Sequence, residues 1–260
     1  MSTWILLRGL TREARHWGPL PALLRAATAT DSVLPLDLPG NGVFARLRAP
    51  LDVADMVGFA RLAALQSGVA GPYRILAMSL GGMVATAWAQ RHPRDIERIV
   101  LINTSMRPFS RATERLRPEA WADLLRIASR WGDAARAEAL IHRLTCNNRQ
   151  SIADDLAAWR AIRESAPVSR ANALRQLFAA AQFSAGRMPP ARPVLILSSQ
   201  DDRLVNPDCS TQLAAAWHAT HRRHPWAGHD LPHDDPAWTC EVISTWLAHP
   251  FVSTQPAVPE

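Results

Sequence analysis

The chain has no lysine: all 29 basic residues among its 260 are arginine. Its isoelectric point therefore lies high, in part because guanidinium groups stay charged far into alkali. No run of 18 or more apolar residues occurs, which excludes a membrane-spanning helix. Only four consecutive apolar residues, Trp4 to Leu7, precede the first charge, too few for the apolar core of a secretory signal. The three cysteines, Cys146, Cys209 and Cys240, are too few and too scattered for a disulfide framework or a four-thiolate zinc site. A cytoplasmic chain with reduced thiols is the expectation. The net charge of +6 comes from one middle segment, since 14 arginines face 8 carboxylates between Met106 and Met188 and the remainder is balanced. No basic run, zinc-finger spacing or glycine-aromatic RNA-binding signature accompanies that excess, so a nucleic-acid partner is not expected.

What is present fits a globular chain, at 48% apolar and 20% charged. The length suits one large domain, or a core with an insertion. The first third alternates strand and helix signals. Short apolar runs at Trp4–Leu7, Ser32–Leu36, Tyr73–Met78 and Ile96–Asn103 are separated by helical spacing over Thr11–Ala27, Leu51–Gln66 and Gly81–Arg91. Strands separated by helices of this length imply parallel pairing with right-handed crossovers. From Met106 to Met188 strand signals vanish, and about four helical segments replace them. In the first of these, Arg115–Trp131, the expected apolar face is Trp121, Leu124, Leu125, Ala128 and Trp131. The sheet resumes at Pro193–Leu197, followed by a helix over Pro207–Trp217, a last strand at Thr220–His224 and a final helix over Pro236–Leu247. The tail, Ser253–Glu260, is polar and proline-bearing and is expected to fray.

The most informative pentapeptide is Ala77-Met78-Ser79-Leu80-Gly81, between an apolar strand and an alanine-rich helix. That is the context of a nucleophile elbow, a sharp strand-to-helix turn that lifts one serine hydroxyl clear of the sheet. Small residues must flank it because strand and helix backbones nearly touch, and Ala77, Gly81 and Gly82 meet that need. The N–H of Leu80, at the helix start, would face a developing oxyanion. A serine needs a base, commonly a histidine oriented by a carboxylate. His229 follows the last strand in Ala227-Gly228-His229-Asp230, with His233 as its rival. The carboxylate is expected after the Pro193–Leu197 strand, where Asp201 and Asp202 compete. The order Ser, Asp, His matches elbow-bearing hydrolases.

These pieces resemble the α/β-hydrolase fold of the lipase and esterase type over essentially the whole chain. The resemblance rests on Leu7-Arg8-Gly9-Leu10, Asp37-Leu38-Pro39-Gly40-Asn41-Gly42, the serine turn, Ser199-Gln200-Asp201-Asp202-Arg203-Leu204-Val205 and Gly228-His229. It implies an α/β architecture with a mostly parallel sheet of about six strands, in which residues 1–105 and 189–260 form the core and 106–188 a four-helix cap. The register on Val205 selects Asp202. The N–H of Leu10 is implied as the second oxyanion donor. The layout is similar to the pimeloyl-acyl-carrier-protein methyl esterase branch.

Arg8 stands where that family usually has histidine, and either a structural ion pair or a contact to a substrate anion is open to it. Arg111 and Arg115, at the start of the arginine-rich segment, either belong to a solvated face or dock an anionic partner such as an acyl-carrier protein or coenzyme A. The reaction implied is hydrolysis of a small-molecule acyl ester by Ser79, His229 and Asp202, with no metal or organic cofactor required. Thioester hydrolysis, a carbon–carbon or perhydrolase reaction on the same triad, and a non-catalytic binding protein are the alternatives. A haloalkane dehalogenase would need aspartate at the position of Ser79.

Overall fold

The computed structural model describes residues 2–29 and 32–248, so the Ser253–Glu260 tail lies outside the described residues. Strand β1 (Thr3–Leu7) leads through a 3-10 turn (Ala14–Trp17) to α1 (Leu20–Thr28) and β2 (Ser32–Leu36). Helix α2 (Val53–Gln66), β3 (Tyr73–Met78), α3 (Leu80–Arg91) and β4 (Ile96–Ile102) follow. The next segment carries α4 (Ala112–Arg115), α5 (Trp121–Ser129), α6 (Ala134–Thr145), α7 (Ile152–Ser165) and α8 (Arg170–Gln182). Then β5 (Val194–Ser199), α9 (Asp208–Trp217), β6 (Thr220–His224), α10 (Leu231–Asp234) and α11 (Pro236–Ala248) complete the order.

The strands form one six-stranded sheet in the order β2-β1-β3-β4-β5-β6. Every pairing is parallel. Parallel sheets survive only when both faces are covered, and the strand residues divide accordingly. Ile5, Leu7, Ile75, Ala77, Ile99, Leu101 and Ile196 join Val53, Met56, Val84 and Leu213 from α2, α3 and α9 in one core. Trp4, Leu6, Leu76, Met78, Val100, Ile102, Leu195 and Leu197 join Leu20 and Leu24 of α1 and Cys240 and Ile243 of α11 in the other. Pro35, which can donate no ladder bond, sits in β2 at the sheet edge, where that costs little.

Because all six strands run the same way, their C-terminal ends open onto one rim of the sheet. The loops carrying Arg8 to Leu10, Ser79, Asn103, Asp202 and His229 all leave from that rim, the usual place for ligands in open α/β sheets.

Two expectations need correction. The single helix expected over Thr11–Ala27 is a 3-10 turn followed by α1, broken where Gly18 takes φ 52° ahead of Pro19. The segment Arg115–Trp131 is likewise divided. Pro118 opens a 3-10 turn, α5 starts only at Trp121, and the face that turns inward is Leu124, Ile127 and Trp131. Trp121 and Leu125, expected inside, are 57% and 69% exposed. Their side of α5 faces outward, so apolar character alone misassigned the face.

Gly81 shows how tightly β1 and α3 approach. A Cβ built there would stand 2.3 Å from the Leu7 carbonyl oxygen and 2.7 Å from that of Arg8. Both obstacles are backbone and cannot rotate away. Gly81→Ala is therefore expected to lower stability by about 1–3 kcal/mol or more, read as a shift in the urea midpoint. Gly132→Ala, where a Cβ would meet nothing within 4 Å, is the control.

Candidate active site

Ser79 leaves β3 at φ 53° and ψ −117°. For a residue with a Cβ that conformation costs about 1–3 kcal/mol and persists only where surroundings over-determine it. Its N–H donates to the Ile102 carbonyl at 3.0 Å, and its own carbonyl accepts from Gly82 N–H at 3.0 Å and from Thr104 Oγ1 at 2.8 Å. Gly9 presses from the β1 side, where a Cβ would stand 3.1 Å from Ser79 Cβ. The side chain is left partly exposed on the sheet rim.

His229 and Asp202 are brought together directly. His229 Nδ1 lies 2.7 Å from Asp202 Oδ2, with both side chains buried. The other oxygen, Oδ1, accepts the N–H groups of Leu204 at 2.8 Å and Val205 at 2.9 Å. Two backbone donors therefore fix the carboxylate, and its free oxygen fixes Nδ1 as the protonated nitrogen. Nε2 is left with the basic lone pair. Asp201, the rival carboxylate, is exposed. His233, the rival base, faces Asp155 at 3.2 Å instead.

Ser79 is linked to His229 through Asn103, a residue that the sequence reading did not single out. Asn103 Nδ2 donates to the His229 carbonyl at 2.8 Å and to Ser199 Oγ at 2.9 Å, while its Oδ1 accepts from Ser199 N–H at 2.9 Å. Asn103 directly follows Ile102, the acceptor for Ser79. Among the described residues no hydrogen bond joins Ser79 Oγ to His229, so the constellation is closed on its His–Asp side and open on its Ser–His side. Such bonds commonly tighten only when substrate is bound.

Leu80 N–H begins α3, and Leu10 N–H lies in the loop after β1; among the described residues neither donates to a backbone carbonyl. The next residue, Thr11, takes φ 56° and donates its N–H to Gln176 Oε1 at 2.9 Å. Gln176, buried on α8, also donates to Asn41 Oδ1 at 2.9 Å. It thereby joins the Leu10 loop to the Asp37–Gly42 turn. No spacing signal marks Gln176, because its partners lie 165 and 135 residues away.

The structure places the three arginines, for which a structural role and an anion contact were both open, in different settings. Arg8 is 3% exposed and forms a two-pronged ion pair with Asp230, Nη1 to Oδ1 at 3.0 Å and Nη2 to Oδ2 at 2.5 Å. Its guanidinium also lies over the Trp17 ring, 4.8 Å from the centroid. It is thus committed to the protein and not offered to a ligand. Arg115 caps α8 by donating to the Ala180 and Ala181 carbonyls. Arg111 is exposed, and its backbone N–H donates to Glu114 at 2.7 Å. Of the three, Arg8 is buried, Arg115 half-buried and Arg111 exposed.

A sequence model of the alpha/beta hydrolase family matches residues 4–242, and the chain belongs to that family. A biotin biosynthesis bifunctional protein, BioHC, of Teredinibacter turnerae is 33% identical over 105 residues, which is 40% of this chain and 17% of that protein. The chain thus spans about a sixth of this relative's length. Among solved structures, a thermophilic esterase from Thermogutta terrifontis superposes with a TM-score of 0.69 at 21% identity, over 95% of this chain and 89% of that one. The enol-lactonase from Burkholderia xenovorans superposes at 0.73 and 21% identity, over 95% and 92%. At these identities the structures share the fold. No described helix is long and apolar enough to cross a membrane.

Burial alone would raise the Asp230 pKa, but the charge and hydrogen bonds of Arg8 outweigh it and the net shift is downward. A carboxylate held low contributes stability above its ordinary value, about 3.9, and loses it as pH falls through the lower folded-state value. Asp230→Asn leaves Arg8 buried without its charge partner and is expected to cost about 3–5 kcal/mol at pH 7. In urea titrations the gap between wild type and variant should stay constant from pH 7 to 5 and shrink toward pH 2.

Proposed function

We propose that this α/β-hydrolase family member is a serine hydrolase that cleaves carboxylic esters of small or medium acyl substrates. The observation that carries this reading is the 2.7 Å bond from His229 Nδ1 to Asp202, which leaves Nε2 as a base on the rim that also bears Ser79. In the reaction, Nε2 takes the Ser79 proton as Oγ attacks the acyl carbonyl. The N–H groups of Leu10 and Leu80 receive the oxyanion, each such donor contributing about 3–4 kcal/mol in comparable sites. The imidazolium, supported by Asp202, gives its proton to the departing alcohol, and an acyl-enzyme remains. Water, deprotonated by the same Nε2, attacks that ester, and collapse returns the proton to Ser79 Oγ as the acid leaves. No step needs a metal or an organic cofactor.

In this reading residues 106–188 form a cap over the core of 1–105 and 189–260. The cap reaches the oxyanion loop through the Gln176–Thr11 bond. A thioester, or the methyl ester of an acyl group on a carrier protein, is the second reading, on the same triad. It is supported by the partial match to a relative named for biotin biosynthesis and by the cap's excess of arginine. An anionic carrier would then meet exposed cap arginines such as Arg111. The free, buried thiols of Cys146, Cys209 and Cys240 agree with a cytoplasmic setting.

Stoichiometric labelling by a fluorophosphonate probe, abolished in Ser79→Ala, is expected, with kcat on p-nitrophenyl esters falling about 10⁴- to 10⁶-fold. Wild-type protein that takes no label and turns over no ester would instead be a binding module. Gln176→Ala is expected to lower kcat about 10- to 100-fold by loosening the oxyanion loop, with KM little changed. Equal kcat in wild type and variant would remove Gln176 from any positioning role.

A further inference from the structure

Outside the serine site, the densest group of ligand-bearing side chains lies where α6 meets the loop that follows His229. His142 and Cys146, four residues apart at the end of α6, are both fully buried. His233 enters from α10. One ligand atom from each of the three lies within 4.8 Å of the others.

The hydrogen bonding around His142 fixes which of its nitrogens is free. Asp155 Oδ2 lies 3.3 Å from His142 Nε2 and 3.2 Å from His233 Nε2, and it also accepts from Ser151 Oγ at 2.9 Å. A carboxylate oxygen only accepts, so His142, hydrogen-bonded to it, turns Nε2–H toward Asp155 and keeps its lone pair on Nδ1, while His233 meets the same oxygen as an ion-pair contact. His142 Nδ1 is buried and has no hydrogen-bond partner. A buried acceptor without a donor calls for an explanation, and a carboxylate behind the opposite nitrogen is the arrangement that orients metal-bound histidines.

We propose that His142, Cys146 and His233 form a binding site for a thiophilic divalent cation, Zn²⁺ by the chemistry of its donors. A thiolate and two imidazoles match zinc preferences, with water completing the tetrahedron. Binding displaces the Cys146 thiol proton to solvent as the sulfur–metal bond forms. Bond lengths of about 2.0–2.1 Å to nitrogen and 2.3 Å to sulfur bring the donors to about 3.3–3.6 Å from one another. The group therefore contracts on binding, and His233, the least buried of the three and carried on a four-residue helix, is the one that moves. The site also joins α6 to the His229 loop, where Asp230 N–H already donates to the Thr145 carbonyl at 2.8 Å. The inference does not depend on ester hydrolysis.

The test uses the full chain after treatment with a chelator, titrated with Zn²⁺ by calorimetry and with Co²⁺ by absorption. One equivalent per chain, a raised melting temperature and a thiolate-to-cobalt charge-transfer band are expected. Cys146→Ser should remove that band. His233→Gln, at the least buried ligand, should weaken Zn²⁺ binding at least about 10-fold, and Asp155→Asn by about 10- to 100-fold. Binding that is absent or not saturable, or that survives unchanged in Cys146→Ser and His233→Gln, overturns the site. Circular dichroism of each variant separates loss of a ligand from loss of the fold, and no readout involves Ser79.

Discussion

Ser79 adopts a backbone conformation that a residue with a Cβ avoids, and four neighbours hold it there. Ile102 takes its N–H, Gly82 and Thr104 take its carbonyl, and Gly9 closes against its Cβ. The contacts of Ile102, Thr104 and Gly9 depend on strands in adjacent positions, with β3 between β1 and β4. The parallel sheet therefore does more than supply a core. Hydrophobic burial on both faces is what stabilises the strained turn, and the strain is what raises the hydroxyl above the rim.

Around that turn the polar groups form a connected layer. Asp202 is fixed by two backbone N–H groups before it meets His229, so the imidazole inherits its orientation from the β5 loop. Asn103 ties the His229 loop to the ends of β4 and β5. Arg8 and Asp230 join the first loop of the chain to the residue after His229. The helical segment between β4 and β5 is anchored to the loop after β1 at two neighbouring residues. Gln176 receives the Thr11 N–H, and Glu138, buried between Arg12 at 2.6 Å and Arg163 at 2.9 Å, receives their guanidinium groups. A shift of the segment would be felt first at the loop carrying Leu10.

Most of the element order was readable because periodicity is a local property. Strands β1 to β5 fall within a few residues of their apolar runs, and α2, α3, α6 to α9 and α11 lie close to the expected spans. The misreadings share a cause. Helical spacing over Thr11–Ala27 was real, but Gly18 and Pro19 imposed a break that apolar counting ignores. In α5 the buried face is chosen by which side meets α6, and Trp121 lies on the exposed side.

The same division runs through the site. Ser79 and His229 stand out in the sequence because a strand-to-helix serine between small residues and a histidine after the last strand are signals written over a few neighbours. The role of Arg8 was not decided there, since its partner lies 222 residues away. Asn103 and Gln176 were missed for the same reason, as amides carry no spacing pattern and acquire meaning only from the carbonyls that folding sets beside them. The sequence alone determined an alternating α/β chain with a serine at a tight turn. Only the tertiary structure decided which charges are consumed by the protein itself, because burying an ion pair or an amide requires groups from distant strands to lose their water together.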